Sequence, residues 1–141
     1  MSGKNGFTLL EVLFVLAILS VLLLLSGPIH VSTLEKQAEK QFLNTLEMDI
    51  FYLQNLSYGS RGAYRIEFAD SKGYTIKDVK NVIVRREVPE GWQIDHTTFP
   101  IISFNHDGLI NQPGSLFIHA KRNTYKLICP FGKGRCYVAK Q

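Results

Sequence analysis

The chain opens with one long apolar segment and continues with a mixed pattern of apolar and polar positions. Between Phe7 and Leu25 the single charged side chain is Glu11, and the apolar run continues to Ile29. A helix over residues 7–29 would measure about 34 Å at ~1.5 Å per residue, which is enough to cross the hydrocarbon core of a bilayer. We therefore predict a transmembrane helix over residues 7–29, preceded by a short leader of residues 1–6.

Beyond this segment, apolar positions recur with the spacing of an amphipathic helix. Pro28 removes a backbone donor and clashes with the preceding turn, so it predicts a kink or a local break in the helix. The stretch 32–35, Ser-Thr-Leu-Glu, has the form of a capping box, where a helix can restart. The spacing predicts an amphipathic helix over residues 30–58, with a stop near Gly59. Its apolar stripe consists of Leu34, Ala38, Phe42, Leu46, Ile50 and Leu53.

The period of the pattern changes to two after the helix. Residues 63–68 alternate between apolar and polar side chains, residues 70–73 have turn composition, and residues 74–77 alternate again, which predicts a hairpin. Further short apolar runs follow, separated by glycine-containing turns. We predict an α+β fold in which the long N-terminal helix packs on a C-terminal antiparallel β-sheet, a meander within residues 59–141.

Composition and charge exclude few classes of function. The 141 residues leave one small domain once a membrane segment is set aside, and the formal net charge of +4 is only mildly basic. Basic side chains could make a weak contact with the phosphates of DNA. Aromatic side chains do not interleave with them, so a solvated surface is favoured over a DNA-binding one. The basic side chains concerned are Arg85, Arg86, Lys121, Arg122, Lys133 and Arg135.

The sequence does not predict a catalytic or metal site. The four histidines lie in segments of different type without a His-x-x-x-His spacing, and the two cysteines are too few to close a zinc site. Neither a Gly-x-Ser-x-Gly motif nor a phosphate-binding glycine loop is present. We therefore expect a protein without catalytic residues, metal or cofactor.

The two cysteines, Cys129 and Cys136, flank a turn near the C-terminus. If Gly132 and Lys133 form a two-residue turn, the cysteines become cross-strand partners at a separation that suits a disulfide. Pro130 and the second glycine of the turn could shift this register and leave free thiols. An export-type N-terminus favours the disulfide.

Three interpretations of the N-terminal segment compete. A secretory signal peptide would have a shorter apolar run followed by a small-x-small cleavage site, which is absent here. A plain membrane anchor leaves Glu11 unexplained, because a carboxylate within the bilayer costs several kcal/mol unless it is paired or near the interface. The third interpretation accounts for the acid.

The stretch 6–13, Gly-Phe-Thr-Leu-Leu-Glu-Val-Leu, resembles the class III signal of type IV pilins and pseudopilins. The resemblance implies that a membrane prepilin peptidase cuts between Gly6 and Phe7 and that Phe7 is then N-methylated. It also implies that Glu11 serves filament assembly, and that Pro28 marks the place where the helix loosens within the filament. Lys4 agrees with a leader on the cytoplasmic side.

Cleavage would give Glu11 a partner that the precursor lacks. The new N-terminus at Phe7 is a secondary amine after methylation and stays protonated at neutral pH. In a filament, the Glu11 carboxylate of one subunit would pair with the Phe7 ammonium of a neighbour, which removes an uncompensated charge from an apolar bundle and sets the register.

The C-terminal stretch 102–108 and the later Gly134-Arg135 are similar to the tail of secretion-type pseudopilins. With the two cysteines, the chain looks most like ComGD-like minor competence pseudopilins of Gram-positive bacteria. That resemblance implies a minor subunit of a competence pilus for DNA binding and uptake, with major and minor pseudopilins, prepilin peptidase and membrane lipid as partners. The precursor would lie in the cell membrane and the mature subunit in a pilus that crosses the cell wall to the cell surface. The alternatives are a minor pseudopilin of a type II secretion system and a membrane-anchored ligand-binding module.

Overall fold

The computed structural model describes residues 7–132 and 134–141, without the side chains of residues 26–32. The chain divides into two compact units, Met1–Gln37 and Ala38–Gln141. The predicted leader, residues 1–6, lies outside the described residues.

Helix α1 runs from Leu9 to Ser57 as one element. The local break predicted at Pro28 is not present in the backbone, which is helical on both sides of this residue. One proline removes a single backbone hydrogen bond, and the neighbouring turns retain theirs. The predicted stop at Gly59 is confirmed: this glycine has a φ of 69°, in the left-handed region, and its N–H donates to the His106 carbonyl at 2.9 Å. The division between residues 29 and 30 stays a prediction.

The described residues after α1 form eight strands in two antiparallel sheets. Sheet A has the strand order β3-β2-β1-β5, and sheet B has the order β4-β6-β7-β8. The strands are β1 (Arg65–Asp70), β2 (Gly73–Lys77), β3 (Val82–Glu87), β4 (Gln93–Asp95), β5 (Ile101–Ser103), β6 (Gly114–His119), β7 (Thr124–Cys129) and β8 (Tyr137–Lys140).

The predicted α+β class and the β1–β2 hairpin are confirmed, but the meander is wrong. After β3 the chain leaves sheet A, and Ile94 of β4 pairs with Ile118 of β6 in sheet B. The next strand, β5, returns to sheet A and pairs with β1, where Ile66 faces Ile102. Alternation along a strand says which side chains are buried, but it does not say which strand is the neighbour.

One face of α1 packs against the two sheets in a common core. The predicted stripe is confirmed from Phe42 onwards, because Phe42, Leu46, Ile50 and Leu53 are all buried. The prediction is wrong for Leu34 and Ala38, which are exposed. Phe42 is the first buried residue of the helix among those whose side chains the structure describes. Its ring contacts those of Tyr74 and Trp92, at centroid distances of 6.4 and 5.4 Å.

A disulfide joins the end of β7 to the residue before β8. Cys129 and Cys136 are bonded, with their Cα atoms 4.2 Å apart, so the predicted pairing is confirmed. The register of the hairpin explains it: Ile128 faces Tyr137, and the two cysteines are the next opposed pair. Lys133 of the turn lies outside the described residues.

Removal of this disulfide is expected to lower the free energy of unfolding by about 2–3 kcal/mol, because a short loop is released in the unfolded chain. Replacing both Cys129 and Cys136 by alanine and measuring urea unfolding tests this value. Dithiothreitol should lower the stability of the unaltered protein and leave that of the double variant unchanged. An unfolding midpoint of the unaltered protein that does not respond to reductant would contradict the prediction.

Candidate functional site

The described residues of the motif around Glu11 lie at the start of α1. Thr8 precedes the helix, and its carbonyl accepts the N–H groups of Glu11 and Val12 at 3.0 and 3.2 Å. The Thr8 hydroxyl also accepts the Glu11 N–H, at 3.3 Å. Thr8 is therefore the N-cap residue, a role that the motif analysis missed. The signal was present, because Thr-x-x-Glu is the spacing of a capping box.

The Glu11 carboxylate belongs to the positive end of the helix. Acidic side chains in a first helical turn are stabilised by the unpaired backbone N–H groups and the helix dipole. In the part of the chain that the structure describes, no ion pair involves this carboxylate. Phe7, directly before the N-cap, is 82% exposed. A carboxylate so placed is open to a cation from another molecule.

The side chains that follow the motif form an apolar surface around the whole helix. Every residue from Phe7 to Leu25 is exposed. An ordinary surface helix has an apolar stripe about a third of its circumference wide, so this uniform surface indicates burial against lipid or other helices. Among the residues that the structure describes, none of the helices combines the length and the apolarity needed to cross a membrane.

Two of the predicted site residues lie outside the described part of the chain. Gly6, on the leader side of the predicted cleavage bond, is not described, and Pro28 is described without its side chain. The roles assigned to Gly6, Phe7, Glu11 and Pro28 remain predictions.

A buried acid, Asp49, connects α1 to sheet A in the second unit. Its Oδ2 atom accepts a hydrogen bond from the Tyr74 hydroxyl at 2.8 Å and one from Arg86 Nε at 3.0 Å. The Asp49 side chain is 12% exposed and that of Arg86 44%, so the ion pair is accessible to water on one side only.

This cluster shifts the titration of its members. Burial, and then the Asp49 charge, raises the pKa of the Tyr74 phenol far above its usual range. The hydrogen bond and the charge of Asp49 raise the pKa of Arg86. Tyr74 is therefore a neutral donor and Arg86 a permanent cation at physiological pH. The cluster is a structural link between helix and sheet.

The stripe predicted from the sequence does not include Asp49, although this residue is buried. Asp49 follows Leu46 by three residues and precedes Leu53 by four, so it lies in phase with the buried stripe. That spacing was the signal in the sequence from which the burial of Asp49 could have been predicted. Two further acids of α1 also contact the sheet domain: Glu39 accepts from the Asn123 amide at 3.0 Å, and Glu47 accepts from the Val138 N–H at 2.8 Å.

The basic residues considered for a DNA contact are distributed over several elements. Arg85 and Arg86 are neighbours on β3, but Arg86 is engaged with Asp49. Lys121 lies in the turn between β6 and β7, and Arg135 lies over the Phe51 ring at 4.6 Å. The DNA contact stays a prediction. Within residues 7–132 and 134–141, no group of three or more histidine, cysteine or acidic side chains is placed to hold a metal ion.

Comparison with known proteins identifies the N-terminal region. The family described as "Prokaryotic N-terminal methylation motif" matches residues 1–27, which include Gly6, Phe7 and Glu11. No curated protein and no solved structure gives a significant match. The chain thus carries the N-terminal methylation motif of prokaryotic type IV pilin-like proteins, and its helix and antiparallel sheets form an α+β arrangement consistent with a pilin-like fold.

Proposed function

We propose that this chain is the precursor of a pilin-like filament subunit whose work is assembly rather than catalysis. The observation that carries the proposal is the methylation motif over residues 1–27 together with a Glu11 carboxylate that is not ion-paired within the described chain. In this proposal, prepilin peptidase cuts between Gly6 and Phe7, and Phe7 is N-methylated.

Assembly follows from the charges at the start of α1. Before cleavage, the nitrogen of Phe7 is part of a peptide bond and carries no charge, so Glu11 has nothing to pair with in a neighbouring precursor. After cleavage, an ammonium stands beside a helical surface on which most side chains are apolar. Pairing between this ammonium and Glu11 of the next subunit compensates both charges while the apolar surfaces leave lipid and pack together.

The same proposal places the precursor in the cell membrane, with the segment 7–29 as its anchor and Pro28 at the point where the helix loosens in the filament. The disulfide between Cys129 and Cys136 supports a location of the unit Ala38–Gln141 outside the cytoplasm, because disulfides persist in oxidising compartments.

At a finer level, we propose a minor pseudopilin of a competence pilus, ComGD-like, that serves DNA uptake and assembles with major and minor pseudopilins. This assignment is supported by the resemblance of the C-terminal stretch and by the cysteine pair. A minor pseudopilin of a type II secretion system is the second candidate, because the N-terminal motif is common to both. A deletion strain separates them: loss of transformation supports the first, and loss of protein secretion supports the second.

Mass spectrometry of the protein isolated from its own cells tests the processing step. We expect the N-terminal peptide to begin at Phe7 and to carry one additional methyl group. Deletion of the peptidase gene is the control, and it should restore the N-terminal peptide that begins before Gly6. An N-terminus beyond Leu25, or a chain that is still uncut in normal cells, would contradict the proposal.

A further inference from the structure

The two sheets of this protein end in four edge strands, and these edges are not equivalent. Strands β3 and β5 are the edges of sheet A, and strands β4 and β8 are the edges of sheet B. An edge strand presents backbone N–H and C=O groups that pair with a further strand unless something covers them. The hydrogen bonds of each edge therefore show whether it is open.

Three of the four edges are contacted by another part of the chain. The contacts come from the helix, from a turn of the other sheet and from the segment after β5. On β8 the Val138 N–H donates to Glu47 at 2.8 Å, on β4 the Ile94 N–H donates to the Ser71 carbonyl at 2.8 Å, and on β5 the Ser103 carbonyl accepts the Asn111 N–H at 2.9 Å.

Strand β3 differs, because two of its residues direct their backbone groups to an open side. The Val88 N–H donates to the Lys72 carbonyl at 2.9 Å, so Val88 faces β2. Backbone directions alternate along an antiparallel strand, so Arg86 also faces β2, whereas Arg85 and Glu87 face outward. Among the residues that the structure describes, none forms a hydrogen bond with the outward backbone groups of Arg85 and Glu87.

Both ends of this open stretch are interrupted. Ile83 is an extra residue in the register of β3, since its two neighbours face consecutive residues of β2. Such a bulge twists a strand and disturbs its pairing. On the other side, Pro89 has no backbone N–H to donate. Pairing with a further strand is therefore restricted to the few residues around Arg86.

The two outward residues carry opposite charges. Arg85 and Glu87 are both exposed, and neither forms an ion pair with another residue of the described chain. Their side chains lie on the face of sheet A that carries Thr75, which is opposed to Arg85 in the register. Directly opposed side chains stabilise a strand pair when their charges are opposite and destabilise it when the charges are alike.

The edge is complementary to itself. An antiparallel neighbour would need an acid opposite Arg85 and a base opposite Glu87, which means a base that precedes an acid by two residues. Strand β3 has this order in Arg85-Arg86-Glu87. A second copy of the chain therefore supplies the matching strand.

We propose that β3 pairs with β3 of a second copy of this chain, as an antiparallel strand related by a two-fold axis. With the axis at Arg86, Arg85 of each copy lies opposite Glu87 of the other. Both of these pairs are of the hydrogen-bonded type, in which the opposed residues exchange their N–H···O bonds. This inference concerns the unit Ala38–Gln141 alone and does not rest on the proposed filament function.

The charges select this register over its neighbours. An axis at Arg85 would oppose two arginines, and an axis at Glu87 would oppose two glutamates, so both shifts bring like charges together. The axis at Arg86 opposes this residue to its counterpart on the other face of the sheet. There each guanidinium is already paired with Asp49 at 3.0 Å, so two neutral pairs meet.

The pair is closed and weak. It uses the one open side of β3 in each copy, so a third copy cannot add at the same edge. Only Arg85 and Glu87 of each copy contribute backbone hydrogen bonds, so we expect the association to depend on protein concentration.

Disulfide cross-linking of the full-length protein in detergent micelles tests the register. Arg85→Cys and Glu87→Cys chains are prepared separately and mixed. In the proposed pair the two thiols are directly opposed, at a Cα separation of about 5.5 Å that suits a disulfide. We expect a covalent dimer in the mixture and little in either variant alone. Arg85→Cys mixed with Lys121→Cys is the matched control. Equal cross-linking in the control, or no dimer in the first mixture, would overturn the proposal.

Charge reversal tests the ion pairs between the copies. Arg85→Glu places two acids opposite each other in both pairs, and Glu87→Arg places two bases there, so each variant alone should associate about tenfold more weakly. An equimolar mixture of the two variants should regain the association, because every opposed pair is again of opposite charge. Lys121→Glu is the control and should have no effect. Sedimentation in density-matched micelles measures the association, and a mixture that stays as weak as the single variants would contradict the pairing.

Hydrogen exchange shows whether the edge is open in the single chain. At low protein concentration we expect fast exchange of the Arg85 and Glu87 amide protons and slow exchange of that of Arg86, which faces β2. The first two amides should become protected as the concentration rises. Protection that is equal at all concentrations would reveal an intramolecular cover, and protection that never appears would show that the strands do not pair. Either result would refute the proposal.

Discussion

Replacement of Glu11 by valine is expected to leave cleavage at Gly6–Phe7 intact and to abolish incorporation of the subunit into filaments. The carboxylate is not ion-paired within the described chain, so its loss removes no contact that the isolated subunit needs. In the proposed filament, by contrast, the loss leaves a Phe7 ammonium uncompensated among apolar helices, which costs several kcal/mol at each subunit contact.

Fractionation of cells that carry the variant measures this effect. We expect the processed Glu11→Val protein to accumulate in the membrane fraction and to be absent from sheared filaments. Glu11→Gln keeps the size of the side chain and should give the same defect, which attributes it to the charge. Glu90→Gln, which removes an exposed acid of the sheet domain, is the matched control. Normal filament incorporation of Glu11→Val would refute the role assigned to this acid.

Replacement of Asp49 by alanine is expected to lower the free energy of unfolding by about 2–4 kcal/mol. The substitution leaves the buried Tyr74 hydroxyl without its acceptor and the Arg86 guanidinium without its partner. Because Arg86 is partly exposed, water can solvate its charge, which keeps the loss below that of a fully buried ion pair. Urea unfolding of the full-length protein in micelles measures the loss.

Two neighbouring arginines of β3 supply the matched controls for Asp49. Arg86→Ala should destabilise the protein, and its effect should not add to that of Asp49→Ala, since both variants break the same pair. Arg85→Ala removes the same type of side chain from the other face of the strand and should change the stability little. Asp49→Asn keeps an acceptor for Tyr74 and should be intermediate. Additive effects of the Asp49 and Arg86 variants would contradict the proposed link.

Elements with a strong local signal were predicted well. The end of the helix predicted over residues 30–58, its stop at Gly59, the β1–β2 hairpin and the opposed cysteines all follow from spacing within a short stretch of chain. The failures have a common cause. Leu34 continues the apolar period but is exposed, and Asp49 lies in phase with that period and is buried although it is charged. Burial depends on what packs against the helix and not on the helix itself.

The pairing of strands in the two sheets could not be predicted from local patterns either. The alternation in β4 correctly indicates that Ile94 is buried, yet it contains nothing that selects Ile118 in sheet B over a partner in sheet A. The roles of Glu39 and Glu47 depend on where the β6–β7 turn and β8 meet the helix, at positions far along the chain. No local pattern specifies such contacts.

The sequence by itself determined the N-terminal motif, because a motif of this kind is a linear order of residues, here around Gly6, Phe7 and Glu11. It also determined the helical and extended periods and the cysteine pair. Only the tertiary structure decided the division into two sheets and the partners of Asp49, which are Tyr74 and Arg86. Strand pairing and buried polar contacts join residues that are distant in sequence, so their outcome depends on the whole packed domain.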